Sequence, residues 1–163
     1  PTFVREKEAK PYHRDAIVPG HNFRMSDINA AIGVVQMSKL SEMNQLRREH
    51  SQYLNEGLKD LVRVPVVEDI NTHVYQMYVV QVEEIGDRDP LLEFLKASGI
   101  GASVHFDPPV HMQSYYSKKY PIKLPVTEDV CQRIITLPMF PSLKKEELDY
   151  IIEKIGEYFA KKK

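Results

Sequence analysis

Asn22 and Arg24 stand just before the point where a helix is expected to begin. With the unpaired N–H groups of a first helical turn, an asparagine amide and a guanidinium fork form a donor set suited to a phosphate. The same residues also suit a local use, Arg24 pairing with Asp27 while Asn22 shapes a turn, and spacing alone does not choose between the two. Further along, His105, Asp107 and His111 have the chemistry of zinc ligands. Pro108 and Pro109 separate the two histidines, however, and no fourth ligand lies near, so no metal site is expected and the histidines read as hydrogen-bonding or substrate contacts. Cys131 falls in an apolar stripe with Val130 and Ile134, which favours packing over nucleophilic chemistry. Glu83-Glu84 and Glu146-Glu147 sit at turns or on solvated helix faces, without the contrasting environments that an acid–base carboxylate pair needs. The sequence holds no glycine-rich phosphate loop, serine-nucleophile elbow or helical zinc motif.

The elements that must position these residues follow from periodicity and punctuation. Pro19-Gly20 marks a turn, Ser26 suits a helix N-cap, and Asp27 places negative charge in the first turn. Apolar residues then recur at helical spacing from Ile28 through Ile32, Val35, Leu46, Leu54 and Leu58 to Leu61, with a phase slip near Ser38 to Ser41. One kinked helix or two in tandem would account for this. His73 to Val82 is rich in aromatic and β-branched residues and predicts a mostly buried strand. Asp89 and Pro90 open a short helix closed by Gly99. A strand is expected over 100–106, ended by Asp107-Pro108-Pro109, and then a loop carrying His111, Tyr115 and Tyr116. Pro125 opens another helix with Val126, Val130, Ile134 and Cys131 turned inward. Leu137 to Pro141 reads as extended, and Ser142 caps a last helix with Leu148, Ile151, Ile152, Ile155 and Phe159 on its apolar face. The fold class is α+β: a small, mainly antiparallel sheet of about three strands packed with helices and preceded by a long N-terminal helix. Residues 1–25 are expected to form an extended arm and residues 26–163 the folded domain. The long helix carries more apolar surface than so small a sheet needs, which points to a partner subunit or a neighbouring domain.

Composition narrows the classes further. Among 163 residues, 22 Lys plus Arg nearly balance 23 Asp plus Glu, a net charge of −1, so no global field draws the chain to nucleic acid or an anionic membrane. The Lys118-Lys119 and Lys144-Lys145 pairs lack the regularly interleaved aromatics of a nucleic-acid surface. Hydrophobic content of 42% and charged content of 28% describe an ordinary folded domain. The single Cys131 permits no intramolecular disulfide, which fits a reducing compartment, and the cytoplasm is expected. No apolar run approaches the roughly 18 residues of a membrane span, and the opening residues are too polar for a secretion signal.

The run Pro19-Gly20-His21-Asn22-Phe23-Arg24-Met25-Ser26-Asp27-Ile28-Asn29-Ala30-Ala31-Ile32-Gly33 closely resembles the G-Y-N-Y-R-M-S-D-I-Q-A-A-I-G signature of the DegT/DnrJ/EryC1/StrS aminotransferases, which act on nucleotide-linked sugars. Further resemblances follow in family order: His73-Val74-Tyr75 to Val80, then Gly99-Ile100-Gly101 to His105 with Pro108 to His111, then Leu137 to Pro141. The resemblance implies a dimeric, fold-type-I transaminase dependent on pyridoxal phosphate, with glutamate as amino donor and a nucleotide-linked keto sugar as acceptor. It implies that this chain is the C-terminal portion, following the large domain that carries the Schiff-base lysine. Without that lysine the chain alone is expected not to turn over. By the same resemblance Asn22 would reach across the dimer interface to the cofactor phosphate of the neighbouring subunit, Arg24 would support the arm or meet substrate, and His73, His105 and His111 would line the sugar-nucleotide side. His21 and Phe106 replace frequent tyrosines and Gln76 a frequent histidine, and Phe106 has no hydroxyl to offer a sugar. A second expectation is a truncated, non-catalytic relative serving as a sugar-nucleotide-binding, regulatory or dimerisation module.

Overall fold

The structure, a computed structural model, describes residues 19–21, 23–68 and 73–162. The chain divides into two compact units, Pro1–Ser38 and Lys39–Lys163. Helix α1 (Asp27–Leu58) begins as its residue types dictate: the Ser26 Oγ accepts the Asn29 N–H at 3.3 Å, and Asp27 sits in the first turn. It runs unbroken past the phase slip, so the apolar pattern belongs to one helix. Of that pattern Leu54 and Leu58 toward the C-terminal end are buried, whereas Ile28, Ile32 and Val35 are exposed. The reason is local: among the described residues of Pro1–Ser38, α1 is the only regular element.

In the second unit, strands β1 (Tyr78–Gln81) and β2 (Ile134–Leu137) pair antiparallel, with Tyr78 opposite Leu137 and Gln81 opposite Ile134. Single bridges flank them, Arg63 to Gln81 on one edge and Ser103 to Thr136 on the other. The α+β architecture stands, but the regular ladder has two strands where about three are expected, because two of the expected strands are cut short. The expected strand from His73 begins only at Tyr78, because Tyr75 adopts a left-handed φ of 45° that breaks the extended run. The expected strand over 100–106 contracts to the Ser103 bridge, because the Ala102 N–H turns back to the Ile100 carbonyl at 2.8 Å instead of joining a ladder.

Helix α2 (Arg88–Ala97) buries Leu91 and Leu95. It ends at Gly99, φ 78°, whose N–H bonds the Lys96 carbonyl while the Ile100 N–H bonds that of Leu95. A left-handed residue at this position closes the helix, and glycine adopts it without a Cβ clash. Where a loop was expected, the structure has a 3₁₀ turn (Val110–Met112) and helix α3 (Ser114–Lys119). Helix α4 (Pro125–Cys131) opens on its proline and buries Cys131, but Val126 is exposed and Ile134 belongs to β2. Helix α5 (Lys145–Lys162) starts three residues after the predicted cap Ser142, at a box in which the Lys144 N–H donates to Glu147 Oε2 at 2.8 Å. Leu148, Ile151 and Ile155 bury its apolar stripe, and Lys162 near its end pairs with Asp87 at the start of α2. Leu54, Leu58, Val80, Leu95, Ile135 and Ile155 are fully buried at the centre. A Cβ at Gly57 would meet the Ile152 side chain on α5, which would have to shift to admit it. No helix among the described residues is long and apolar enough to cross a membrane.

Candidate functional site

His105 lies two residues beyond the Ser103 bridge, and its Nδ1 stands 3.0 Å from the Thr136 hydroxyl of β2. A loop then crosses Asp107-Pro108-Pro109 and delivers His111, whose Nε2 is 3.1 Å from Glu128 Oε1 on α4. The same carboxylate oxygen accepts the Leu124 N–H at 2.8 Å, so Glu128 both satisfies a donor at the start of α4 and orients the imidazole. The Leu124 bond first, and then His111, hold the Glu128 carboxyl below its ordinary value of 4.5. A carboxyl depressed in the folded state stabilises the fold above its unfolded value and loses that contribution as pH falls through the folded value. Stability is therefore expected to decline on acidification below 4.5. Glu128→Gln should flatten that part of the profile, read as the urea midpoint against pH.

His111 also borders a cavity of about 500 Å³, walled chiefly by Phe106, Val110, Tyr116, Tyr120 and Cys131. Its lining is aromatic and apolar. Cys131 is buried and its Sγ donates to the Phe106 carbonyl at 3.4 Å. Burial, followed by the nearby Asp107 charge, raises its thiol above the ordinary range, in keeping with packing rather than nucleophilic use. His73 serves a different segment: its Nδ1 accepts the Tyr75 N–H at 3.0 Å, which leaves Nε2 as its other hydrogen-bonding atom. Arg47 on α1 donates to the carbonyls of Tyr75 at 3.2 Å and Met139 at 2.8 Å, tying this turn to the end of β2. His105 thus rests on β2 through Thr136, His73 on the Tyr75 turn that Arg47 ties to Met139, and His111 on α4.

Arg24 is exposed ahead of α1, and the ion pairs of the described residues do not include one to Asp27. Asn22 lies outside the described residues. Among the described residues, no group of three His, Cys, Asp or Glu side chains is placed to hold a metal ion. Sequence reasoning missed Arg47, Arg88, Glu128 and Thr136. The one local signal was Glu128 in the first turn after Pro125; the others reach across 19 to 92 residues of chain, where no short pattern points to them.

These features define a small α+β domain whose histidine-bearing segments are held by β2, α4 and the turn before β1. A family model described as the DegT/DnrJ/EryC1/StrS aminotransferase family matches residues 3–156, and the chain belongs to that family. Among solved structures it is similar to a DegT DnrJ EryC1 StrS aminotransferase from Brucella abortus, with 32% identity and a TM-score of 0.80 over 93% of this chain and 39% of that one. It is also similar to DesV from S. venezuelae, at 25% identity and a TM-score of 0.81, covering 95% of this chain and 40% of that one. The PLP-form of Spr1654 from Streptococcus pneumoniae matches at 26% identity and a TM-score of 0.75, over 88% of this chain and 38% of that one. The chain therefore spans about two fifths of the length of the structures that it matches.

Proposed function

We propose that the chain supplies the C-terminal, small-domain portion of an aminotransferase dependent on pyridoxal phosphate, which moves an amino group from glutamate to a nucleotide-linked keto sugar. The observation that carries this reading is the family match over residues 3–156. A fold shared with an aminotransferase of which the chain spans 39% supports it. Pyridoxal phosphate fits the donor chemistry of the arm: Arg24 is an exposed guanidinium, and with Asn22 it would hold the cofactor phosphate of the neighbouring protomer in a homodimer. When bound, the cofactor supplies the electron sink for amino-group transfer. The chain's own residues bind and orient. His105, held by Thr136, and His111, held by Glu128, serve the sugar-nucleotide side together with His73, and Phe106 offers an apolar surface there. The exposed face of Ile28, Ile32 and Val35 is where this reading places the rest of the enzyme or the partner protomer.

A chimera in which this chain replaces the matching 39% of the Brucella abortus relative tests the reading. The chimera is expected to bind pyridoxal phosphate as a visible chromophore that glutamate bleaches, while the 163-residue chain alone does neither. Asn22→Ala combined with Arg24→Ala in the chimera should weaken cofactor binding by about tenfold or more, the loss expected for charge-assisted hydrogen bonds to phosphate. A folded chimera that leaves the cofactor unbound, or glutamate turnover by the chain alone, overturns the proposal.

A further inference from the structure

The loop that brings His105 and His111 into place is fastened by a residue outside it. Arg88, the first residue of α2, is only 13% exposed in its side chain. Its Nη1 forms an ion pair with Asp107 Oδ2 at 2.8 Å, in the middle of the loop, and donates to the Cys131 carbonyl at 2.6 Å, at the end of α4; its Nε donates to Asp89 Oδ1 at 2.7 Å. We propose that Arg88 is the positioning residue that seats the 105–111 loop against α4, and so sets where His105 and His111 stand.

The chemistry of the group explains why an arginine does this. A planar guanidinium directs several N–H donors at fixed angles, so one side chain can meet a carboxylate and a carbonyl together. The Cys131 carbonyl belongs to the last turn of α4, where backbone acceptors lack helical partners and a cation is favoured. Two weaker contacts lie on the same seam, from Cys131 Sγ to the Phe106 carbonyl and from His111 to Glu128. Of these fastenings, the Arg88 bond to Asp107 is the ion pair in the middle of the loop, and it is shielded from water on the arginine side. A lysine carries three donors on a freely rotating ammonium without the planar fork, so it lacks the fixed geometry and the second contact through Nε. The bearing of this seat on a sugar ligand rests on the aminotransferase reading; the seat itself does not.

Cys131, the sole cysteine, is a built-in reporter because its thiol lies beneath the loop. The experiment measures the alkylation rate of Cys131 by iodoacetamide in the 163-residue chain, alongside circular dichroism and urea midpoints, for Arg88→Ala, Arg88→Lys, Asp107→Asn and the core variant Ile155→Val. Each rate is taken from a pH–rate profile as that of the fully ionised thiolate, because burial and Asp107 raise the thiol pKa and Arg88 lowers it. Loss of the ion pair to Asp107 together with the bond to the Cys131 carbonyl should raise the rate about tenfold or more in Arg88→Ala. Arg88→Lys and Asp107→Asn should give intermediate rates with the spectrum unchanged, and they carry the test should Arg88→Ala fail to fold. Ile155→Val lowers global stability away from the seam and should react no faster than its own midpoint predicts. The proposal is overturned if the Arg88 and Asp107 variants react at the wild-type rate. It is equally overturned if they react no faster than Ile155→Val does when the rates are compared at matched stability, since that outcome would make the arginine merely structural. The thiol readout involves neither cofactor nor sugar, so it stands or falls separately from the chimera experiment.

Discussion

Ile135→Ala is expected to destabilise the Lys39–Lys163 unit by about 2–5 kcal/mol, the range for truncating a fully buried aliphatic side chain to alanine. Ile135 has no exposed surface and lies opposite Val80, itself fully buried, at the centre of the two-stranded ladder. The substitution removes both the transfer free energy of the lost methylene and methyl groups and the contacts that their neighbours made with them. Little backbone is available to collapse into the space, because the ladder holds Ile135 between Ile134 and Thr136 in fixed register. Urea unfolding followed by tyrosine fluorescence would measure the loss, since the sequence has nine tyrosines and no tryptophan. Val126→Ala, at a residue 78% exposed, should move the midpoint by less than about 0.5 kcal/mol in the same assay. A loss below about 1 kcal/mol for Ile135→Ala would contradict the central place given to that side chain.

Arg47→Met is expected to cost about 2–4 kcal/mol, because it strips the donor from two carbonyls and leaves the apolar stem of the side chain largely in place. One of those carbonyls belongs to Tyr75, a bulky residue held at a φ of 45°, which is itself unfavourable by about 1–2 kcal/mol. The His73 Nδ1 fixes the Tyr75 N–H and Arg47 fixes its carbonyl, so the turn is specified from both sides of one residue. With the guanidinium gone, Tyr75 can relax, and its buried ring must then leave the core position beside Tyr78. Arg47→Lys should recover part of the loss, since its ammonium keeps the charge and the donors but lacks the rigid planar geometry of the guanidinium. Denaturation midpoints for the two variants, with the Tyr75 amide followed by NMR, would check this. Equal stability of wild type and Arg47→Met would show that the two carbonyls find other donors.

Much of the helical framework was legible because local chemistry signs it. Ser26 and Asp27 mark the start of α1, Pro125 the start of α4, and Gly99 the end of α2, and each feature acts within a few residues of itself. The strands were harder. The apolar, aromatic run from His73 looks extended throughout, and only the tertiary clasp of Arg47 reveals why Tyr75 turns out of it. Ile134 continues the helical spacing of Val130, yet it belongs to β2, whose residues are buried on both faces and so show no alternation. Helix α3 is six residues long and mixes Ser, Tyr and Lys without an apolar face, leaving no periodic signal to read. At the candidate site, the histidines were visible as residue types, but their anchors Thr136 and Glu128 and the fastening through Arg88 depend on segments that meet only when the chain has folded.

The short bridges at Arg63 and Ser103 have a consequence for self-association. A two-stranded ribbon with bare margins would offer rows of unsatisfied amides and carbonyls on which a second molecule could dock a strand. Here Arg63 exchanges both backbone bonds with Gln81, and Ser103 does the same with Thr136. Each margin is thereby interrupted by a chain that does not continue as a strand, so templated fibre growth finds no long open row to extend.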